Sequence, residues 1–304
     1  MLYITGITGH SGHWLIERLV KEEYKDKIRC VVREDSDTSF LDKSGLDIEK
    51  VVGDLNDINF LRETITNVDT LLHIVQINLS TQIVDVAIKN GVKWVILIHT
   101  TGRYSQYKSA SAGYIKIEED IIKRRNEIGI TILRPTMIYG SSRDSNMYSL
   151  INYLYKHKLF PLFGKGSNLM QPVHARDLGN SYYDVIANRD KTFNKSYNLS
   201  GAHSIKYIDL IKTISNALNI KNIIIKIPLS ISLFCAFVYN KVCKTAIISY
   251  EQVLRMKEDK AFEHTDATND FGYSPISFEL GILEEVDEYL SKQAELPVIL
   301  KVEL

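Results

Sequence analysis

Three glycines at three-residue spacing, Gly6, Gly9 and Gly12, constrain this chain more than any other feature. They follow a run of strand formers, Met1–Thr5. They open a stretch in which Trp14, Leu15, Leu19 and Val20 recur at helical spacing. A phosphate nearing a helix N-terminus needs backbone N–H groups with no Cβ in the way. In such a turn the first glycine allows the tight bend, the second lets a pyrophosphate come close, and the third lets helix pack on strand. The strand–loop–helix context therefore predicts a dinucleotide-binding turn, with Gly6, Gly9, His10, Ser11 and Gly12 around the pyrophosphate.

The rest of the first half fits such a turn. Short apolar runs at Ile28–Val32, Val51–Val52, Thr70–Val75, Trp94–His99 and Thr131–Arg134 alternate with helical stretches such as Thr81–Lys89, which stops at Asn90-Gly91. Continuous Val/Ile/Leu runs mean strands covered on both faces, and alternation with helices means a parallel, doubly wound α/β sheet of the Rossmann kind. The second half is less regular. Helices are expected at Met147–Lys156, Asp177–Ala187, Tyr207–Leu218 and Phe278–Leu290, a strand at Leu169–His174, and a short strand or docked extension at Ala294–Leu304. With 304 residues, about two domains are expected. We place a nucleotide-binding domain at residues 1–165, with a return at about 170–200, and a smaller, interleaved α/β substrate lobe at 166–304.

Charge and composition exclude some classes. Lys plus Arg and Asp plus Glu each number 37, and zero net charge argues against nucleic acid as the main partner. Cys30, Cys235 and Cys243 make no disulfide framework, so reduced thiols and a cytoplasmic setting are expected. Nothing at the start of the chain has the pattern of a signal peptide. The most apolar stretch, Ile223–Val242, is interrupted by Lys226 and Pro228, whereas a membrane-spanning helix needs about 20 residues; a buried strand followed by a buried helix is expected there. The histidines His10, His13, His73 and His99 show no metal-ligand spacing, so no metal is expected. His73 and His99 end strands at the edge where the dinucleotide would lie, and either could touch it.

The second apolar run ends at Val32 and leads into Arg33, Glu34 and Asp35. An acid near this point holds the ribose hydroxyls of NAD, whereas a guanidinium suits the 2′-phosphate of NADP. Arg33 favours NADP. Read as a solvated charge beside Glu34 and Asp35, it leaves NAD open.

Further motifs follow in order. They are Gly53-Asp54-Leu55, Leu133-Arg134-Pro135-Thr136-Met137-Ile138-Tyr139-Gly140, Gln171-Pro172-Val173-His174-Ala175-Arg176-Asp177-Leu178, Tyr197-Asn198-Leu199-Ser200-Gly201, and Asp266-Ala267 before Phe271-Gly272-Tyr273-Ser274-Pro275. With the glycine turn, this series resembles the extended short-chain dehydrogenase/reductases, specifically the NAD-dependent epimerase/dehydratase family. The resemblance implies that Asp54 and Leu55 contact the adenine. It implies a hydroxyl after the fifth strand, then a tyrosine acid/base and, four residues later, a lysine that holds the nicotinamide ribose. It implies hydride chemistry on a nucleotide-linked sugar, and a homodimer.

The resemblance makes Thr101, Tyr114 and Lys116 the expected catalytic set, with Lys116 also on the cofactor and Thr100 as the alternative hydroxyl. Four residues before Lys116 stands Ala112, not tyrosine. Tyr114 is two residues away and shares the lysine's face only if the helix begins at or after it. A Tyr-x-x-x-Lys spacing does occur at Tyr104–Lys108, but in a serine-rich stretch where no helix is expected. Tyr104 or Tyr107 could take the role from a loop, or Tyr139, Lys116 itself or a water could serve. The enzyme alternative is a reductase or dehydrogenase of another alcohol or ketone, including an apolar one. The alternative outside catalysis is an NAD(P)-binding sensor.

Overall fold

A computed structural model describes residues 1–231, 233 and 254–295; within helices, the side chains of 108–110 and 295 are not described. The strands are β1 (Leu2–Thr5), β2 (Ile28–Val32), β3 (Ile48–Val52), β4 (Thr70–His73), β5 (Trp94–Ile98), β6 (Gly129–Pro135), β7 (Ile138–Tyr139), β8 (Leu159–Phe163), β9 (Leu169–Met170), β10 (Val173–His174), β11 (Ser196–Leu199), β12 (Ile205–Lys206) and β13 (Ile223–Ile227). The helices are α1 (His10–Lys21), α2 (Ser39–Asp42), α3 (Ile58–Thr64), α4 (Ser80–Lys89), α5 (Lys108–Ile122), α6 (Met147–Lys156), α7 (Ala175–Ala187), α8 (Arg189–Thr192), α9 (Tyr207–Ala217), α10 (Thr265–Phe271) and α11 (Phe278–Glu295).

Seven strands form one parallel sheet in the order β11-β6-β5-β4-β1-β2-β3. The chain builds outward from β1 through β2 to β3, then returns to the other side of β1 at β4. The order therefore reverses between β1 and β4, and ligands of open α/β sheets bind outside the carboxyl ends of the strands at such a point. Every residue of β1, β4 and β5 is buried, as expected for strands covered on both faces. On one face α1 packs closely on α7. A Cβ at Gly179 would lie 2.4 Å from Trp14 Cβ and 2.8 Å from the Ser11 carbonyl oxygen, so only glycine permits this approach.

The chain divides into two compact units. The first comprises 1–136, 175–200 and 262–275, and the second 137–174, 201–261 and 276–304. The first unit thus ends at Thr136 rather than near residue 165, and it recovers α10 as well as the 175–200 return. The physical reason lies in β11 and α10. β11 completes the sheet beside β6, and Tyr197 of β11 donates a hydrogen bond to Asp270 of α10 at 2.6 Å.

In the second unit, α6, α9 and α11 surround a core of residues such as Met147, Ile151, Leu210, Ile214, Ile282 and Val286. The expected strand over Leu169–His174 is broken into β9 and β10 at Gln171-Pro172, because proline cannot donate to a ladder. Ile223–Ile227 is a strand, paired in parallel with β8. It is not buried as expected: Ile223 and Ile225 are 61% and 47% exposed. Cys30 is buried, whereas Cys235, Cys243 and the tail beyond Glu295 lie outside the described residues. No described helix is long and apolar enough to cross a membrane.

Candidate dinucleotide site

The glycine turn leaves β1 at the point where strand order reverses. Gly6 has φ +80°, in the left-handed region that favours glycine, and Gly9 N–H donates to the Gly6 carbonyl at 2.9 Å, closing the turn. Gly9 is then the N-cap of α1. No side chain caps this end, and no acid stands in the first turn to oppose an anion. Gly12 has another role. A Cβ there would press to 2.4 Å from the Ile7 carbonyl oxygen and 2.7 Å from that of Gly6, so it lets the helix fold back on its own turn. At Gly9 a Cβ would meet only the Gly6 oxygen, at 3.0 Å, and would otherwise project into the cradle. That cradle fits a pyrophosphate.

Ser11 departs from expectation. Its hydroxyl turns inward to the Tyr182 hydroxyl at 3.0 Å, and the residue is buried against α7. Its side chain packs the helix pair, leaving only its backbone for a phosphate. Arg33 follows β2, is exposed, and makes no ion pair among the described residues. Asp54 follows the edge strand β3. Its Oδ1 accepts from the backbone N–H and the side-chain amide of Asn56 at 2.9 and 2.8 Å, which holds its carboxyl below the usual range. Leu55 is half-buried against the core of this unit.

The end of β5 differs most from expectation. His99 is buried. Its Nδ1 lies 3.0 Å from Glu118 Oε2 and its Nε2 3.2 Å from the Ser80 hydroxyl. Burial, and then the charges of Arg134 and Arg103, push its pKa down to about 3, so the ring is neutral. Nδ1–H then donates to the carboxylate and Nε2 accepts from Ser80. His73 is likewise neutral, pushed down to about 4 by burial; its Nδ1 lies 2.7 Å from the Thr5 hydroxyl and its Nε2 faces the Gln76 carbonyl. Both rings serve the sheet, and the fully buried His73 does not reach a dinucleotide.

Glu118 gathers this cluster. Its carboxylate accepts from Arg134 Nε and Nη2 at 3.0 and 2.6 Å, from Arg103 and from His99. The sequence shows only an acid two residues after Lys116; its burial comes from the face of α5 on which it stands.

That face settles the tyrosine–lysine question. The helix α5 begins at Lys108, well before Tyr114. Tyr114 and Lys116 are therefore about 200° apart around it. Tyr114 stands one turn before the buried Glu118, whereas Lys116 and Ala112 share the exposed side. Lys116 thus cannot work with Tyr114, and the expected pair is not formed. Thr101 is also committed, its hydroxyl donating to the Pro135 carbonyl at 3.1 Å. Thr100 and Tyr114 instead both approach Gly102. A Cβ on Gly102 would lie 3.2 Å from Thr100 Oγ1 and 3.4 Å from Tyr114 Cε2, so hydroxyl and ring flank one point at the carboxyl end of β5. Thr100 Oγ1 accepts from Gly102 N–H at 3.0 Å and keeps its own proton to donate. Tyr104 is 43% exposed, donates to Asn198 Oδ1 at 3.1 Å, and lies beneath the guanidinium groups of Arg103 and Arg134. Tyr107 caps α5. Tyr139 is a packed core aromatic of the second unit, its ring 5.2 Å from those of His174 and Phe278.

Residues 6–153, just under half of the chain, match a family model described as NAD(P)H-binding. A segment of 70 residues is 37% identical to sterol demethylase protein B of Methylococcus capsulatus, covering 23% of this chain and 20% of that protein; the match spans about a fifth of that relative's length. Solved structures match nearly the whole chain. A nucleoside-diphosphate-sugar epimerase of Pseudomonas aeruginosa superposes with a TM-score of 0.77 at 13% identity, over 96% of this chain and 97% of that one. A double mutant of the dTDP-glucose 4,6-dehydratase of Streptomyces venezuelae, solved with NAD bound, gives 0.73 at 16%, over 97% and 98%. The UDP-glucose 4-epimerase of Thermotoga maritima, solved with UDP-glucose, gives 0.72 at 14%, over 96% and 99%. Residues 6–153 thus match an NAD(P)H-binding family model, and the chain shares its fold with these epimerase and dehydratase structures.

Proposed function

We propose that the protein is an NAD(P)-dependent oxidoreductase of the epimerase/dehydratase type, working with Tyr114 and Thr100 in place of a tyrosine–lysine pair. The observation that carries this reading is the approach of both Tyr114 and Thr100 to Gly102 beyond the carboxyl end of β5, in the unit that holds the glycine cradle. When bound, the nicotinamide supplies hydride transfer at an alcohol or carbonyl carbon. Backbone N–H groups at the start of α1 hold the pyrophosphate, and Asp54 Oδ2 is open to the adenine amine. Tyr114 moves the proton of the reacting hydroxyl, and the Thr100 hydroxyl hydrogen-bonds the same oxygen. A nucleotide-linked sugar is one substrate class, as the names of several fold relatives suggest. An apolar alcohol or ketone is the other, favoured by the segment shared with a sterol demethylase protein.

Tyr114→Phe is expected to lower kcat by at least about 100-fold, the range of a lost general acid/base. Lys116→Met should stay within about twofold of the parent, because its side chain faces solvent. Turnover is read from nicotinamide absorbance over a panel of sugar nucleotides and apolar ketones. Loss of activity in Tyr104→Phe with retention in Tyr114→Phe would move the role to Tyr104. Dinucleotide that binds but never changes redox state with any substrate would leave a sensor.

Arg33 sets cofactor choice in this reading. Arg33→Ala should weaken NADP binding by about tenfold to 100-fold, the worth of a charge-assisted contact, and leave NAD binding unchanged. Equal affinity of the parent for both cofactors would make Arg33 a solvated charge only.

A further inference from the structure

The chain has five methionines, and four of them meet in one place. Met137, Met147, Met170 and Met256, with Leu150 and Leu210, form the apolar part of the wall of a cavity of about 500 Å³ within the second unit. That volume falls in the range of about 300–1,000 Å³ typical of small-molecule sites. Thioether side chains are unbranched and polarizable, and they adapt to apolar bodies of irregular shape. Beside the two cations, only Asn146, Asn168 and Tyr207 offer polar groups in this wall, fewer than the hydroxyls and base edges of a sugar nucleotide need, which costs binding.

Two cations stand in the same wall, Arg255 and Lys260. The backbone holds Lys260 in place: its N–H donates to the Leu169 carbonyl at 2.7 Å, and the residue bridges to Met170. Its side chain makes no ion pair among the described residues. Arg255 has Glu258 at 3.8 Å as its ion-pair partner. Burial and the neighbouring Arg255 both lower the Lys260 pKa, and Glu258 offsets this in part. Two like charges in the wall of this cavity, with Glu258 as the one carboxylate ion-paired to either of them among the described residues, leave room for an anion.

We propose that this cavity binds an apolar molecule carrying a single anionic group, its body against the methionines and its charge on Lys260 and Arg255. The inference deepens the proposed function, on which it rests for one point: that the occupant is the substrate of the oxidoreductase. It assigns that substrate to the apolar class rather than to sugar nucleotides.

Calorimetry with straight-chain carboxylates tests it. Binding should tighten about fourfold per added methylene from octanoate to dodecanoate. Lys260→Met, which keeps the length and drops the charge, should weaken dodecanoate by about tenfold or more and leave dodecanol within about twofold. UDP-glucose should not bind at concentrations where dodecanoate saturates. Tight UDP-glucose binding, chain-length independence, or an unchanged dodecanoate affinity in Lys260→Met would each overturn the proposal. NADP affinity and the thermal midpoint, measured on the same samples, should be the same in Lys260→Met and parent. Loss of cofactor binding in the parent itself would instead sink the oxidoreductase reading and leave the cavity test standing.

Discussion

Gly9→Val should leave the protein folded and remove its affinity for NAD(P). The backbone at Gly9 has φ −74° and ψ 177°, an extended conformation that valine adopts readily. A Cβ there meets only the Gly6 carbonyl oxygen, at 3.0 Å, which a shift of a few tenths of an ångström relieves. The two methyl groups then occupy the space in front of the N-terminus of α1, where the pyrophosphate must come within hydrogen-bond distance. Loss of two charge-assisted contacts costs about 3–6 kcal/mol, so the dissociation constant should rise by more than about 100-fold. Calorimetry with NADP and NAD, paired with a thermal melt, reads both halves of the expectation. Parent-like binding with an unchanged melt would refute the cradle. Gly12→Ala is a poorer probe, because its Cβ would press to 2.4 Å from the Ile7 oxygen and disturb the fold itself.

Glu118→Gln should be among the most damaging single changes in the first unit. The carboxylate is fully buried and accepts from Arg134, Arg103 and His99. Its removal leaves the Arg134 guanidinium, itself buried, without a counter-charge, while His99 stays neutral and offers no replacement. The amide also turns a donor toward the arginines, which are donors only. Breaking one partner of a buried ion pair costs about 3–5 kcal/mol. On a domain of this size that is a fall of about 10 °C in Tm. Urea denaturation of Glu118→Gln beside the parent measures it. A midpoint within error of the parent would mean that the two arginines find other acceptors and that Glu118 is not the hub of the cluster.

Local rules explain what could be read from the residues alone. The strands β1, β2, β4, β5 and β6 and the helices α1, α4, α6 and α9 begin and end within a few residues of where their apolar periods place them. The glycine turn sits at the end of β1 because its spacing encodes a backbone shape within seven residues of chain. Continuous apolar runs dictate strands buried on both faces, and such strands between helices dictate the parallel sheet.

Positions whose meaning depends on a partner distant in sequence were not legible in that way. Lys116 stood in the expected segment, but the start of α5 at Lys108 sets the phase of the helix and turns it to solvent. The same phase buries Glu118 and brings the Tyr114 ring to Gly102. Ser11 lies in the glycine motif, yet its hydroxyl belongs to Tyr182, 171 residues on. Thr101 is spent on Pro135. β11 and α10 return to the first unit although they follow much of the second. Four methionines spread from 137 to 256 line one cavity.

The class of fold, the dinucleotide turn and the strand edge where ligands gather are readable from the residues alone, because steric and hydrogen-bonding rules act over a few neighbours in the chain. Which side chains face that edge is a matter of long-range packing. A helix's rotation about its own axis is chosen by the sum of its packing contacts, and those partners come from everywhere in the chain.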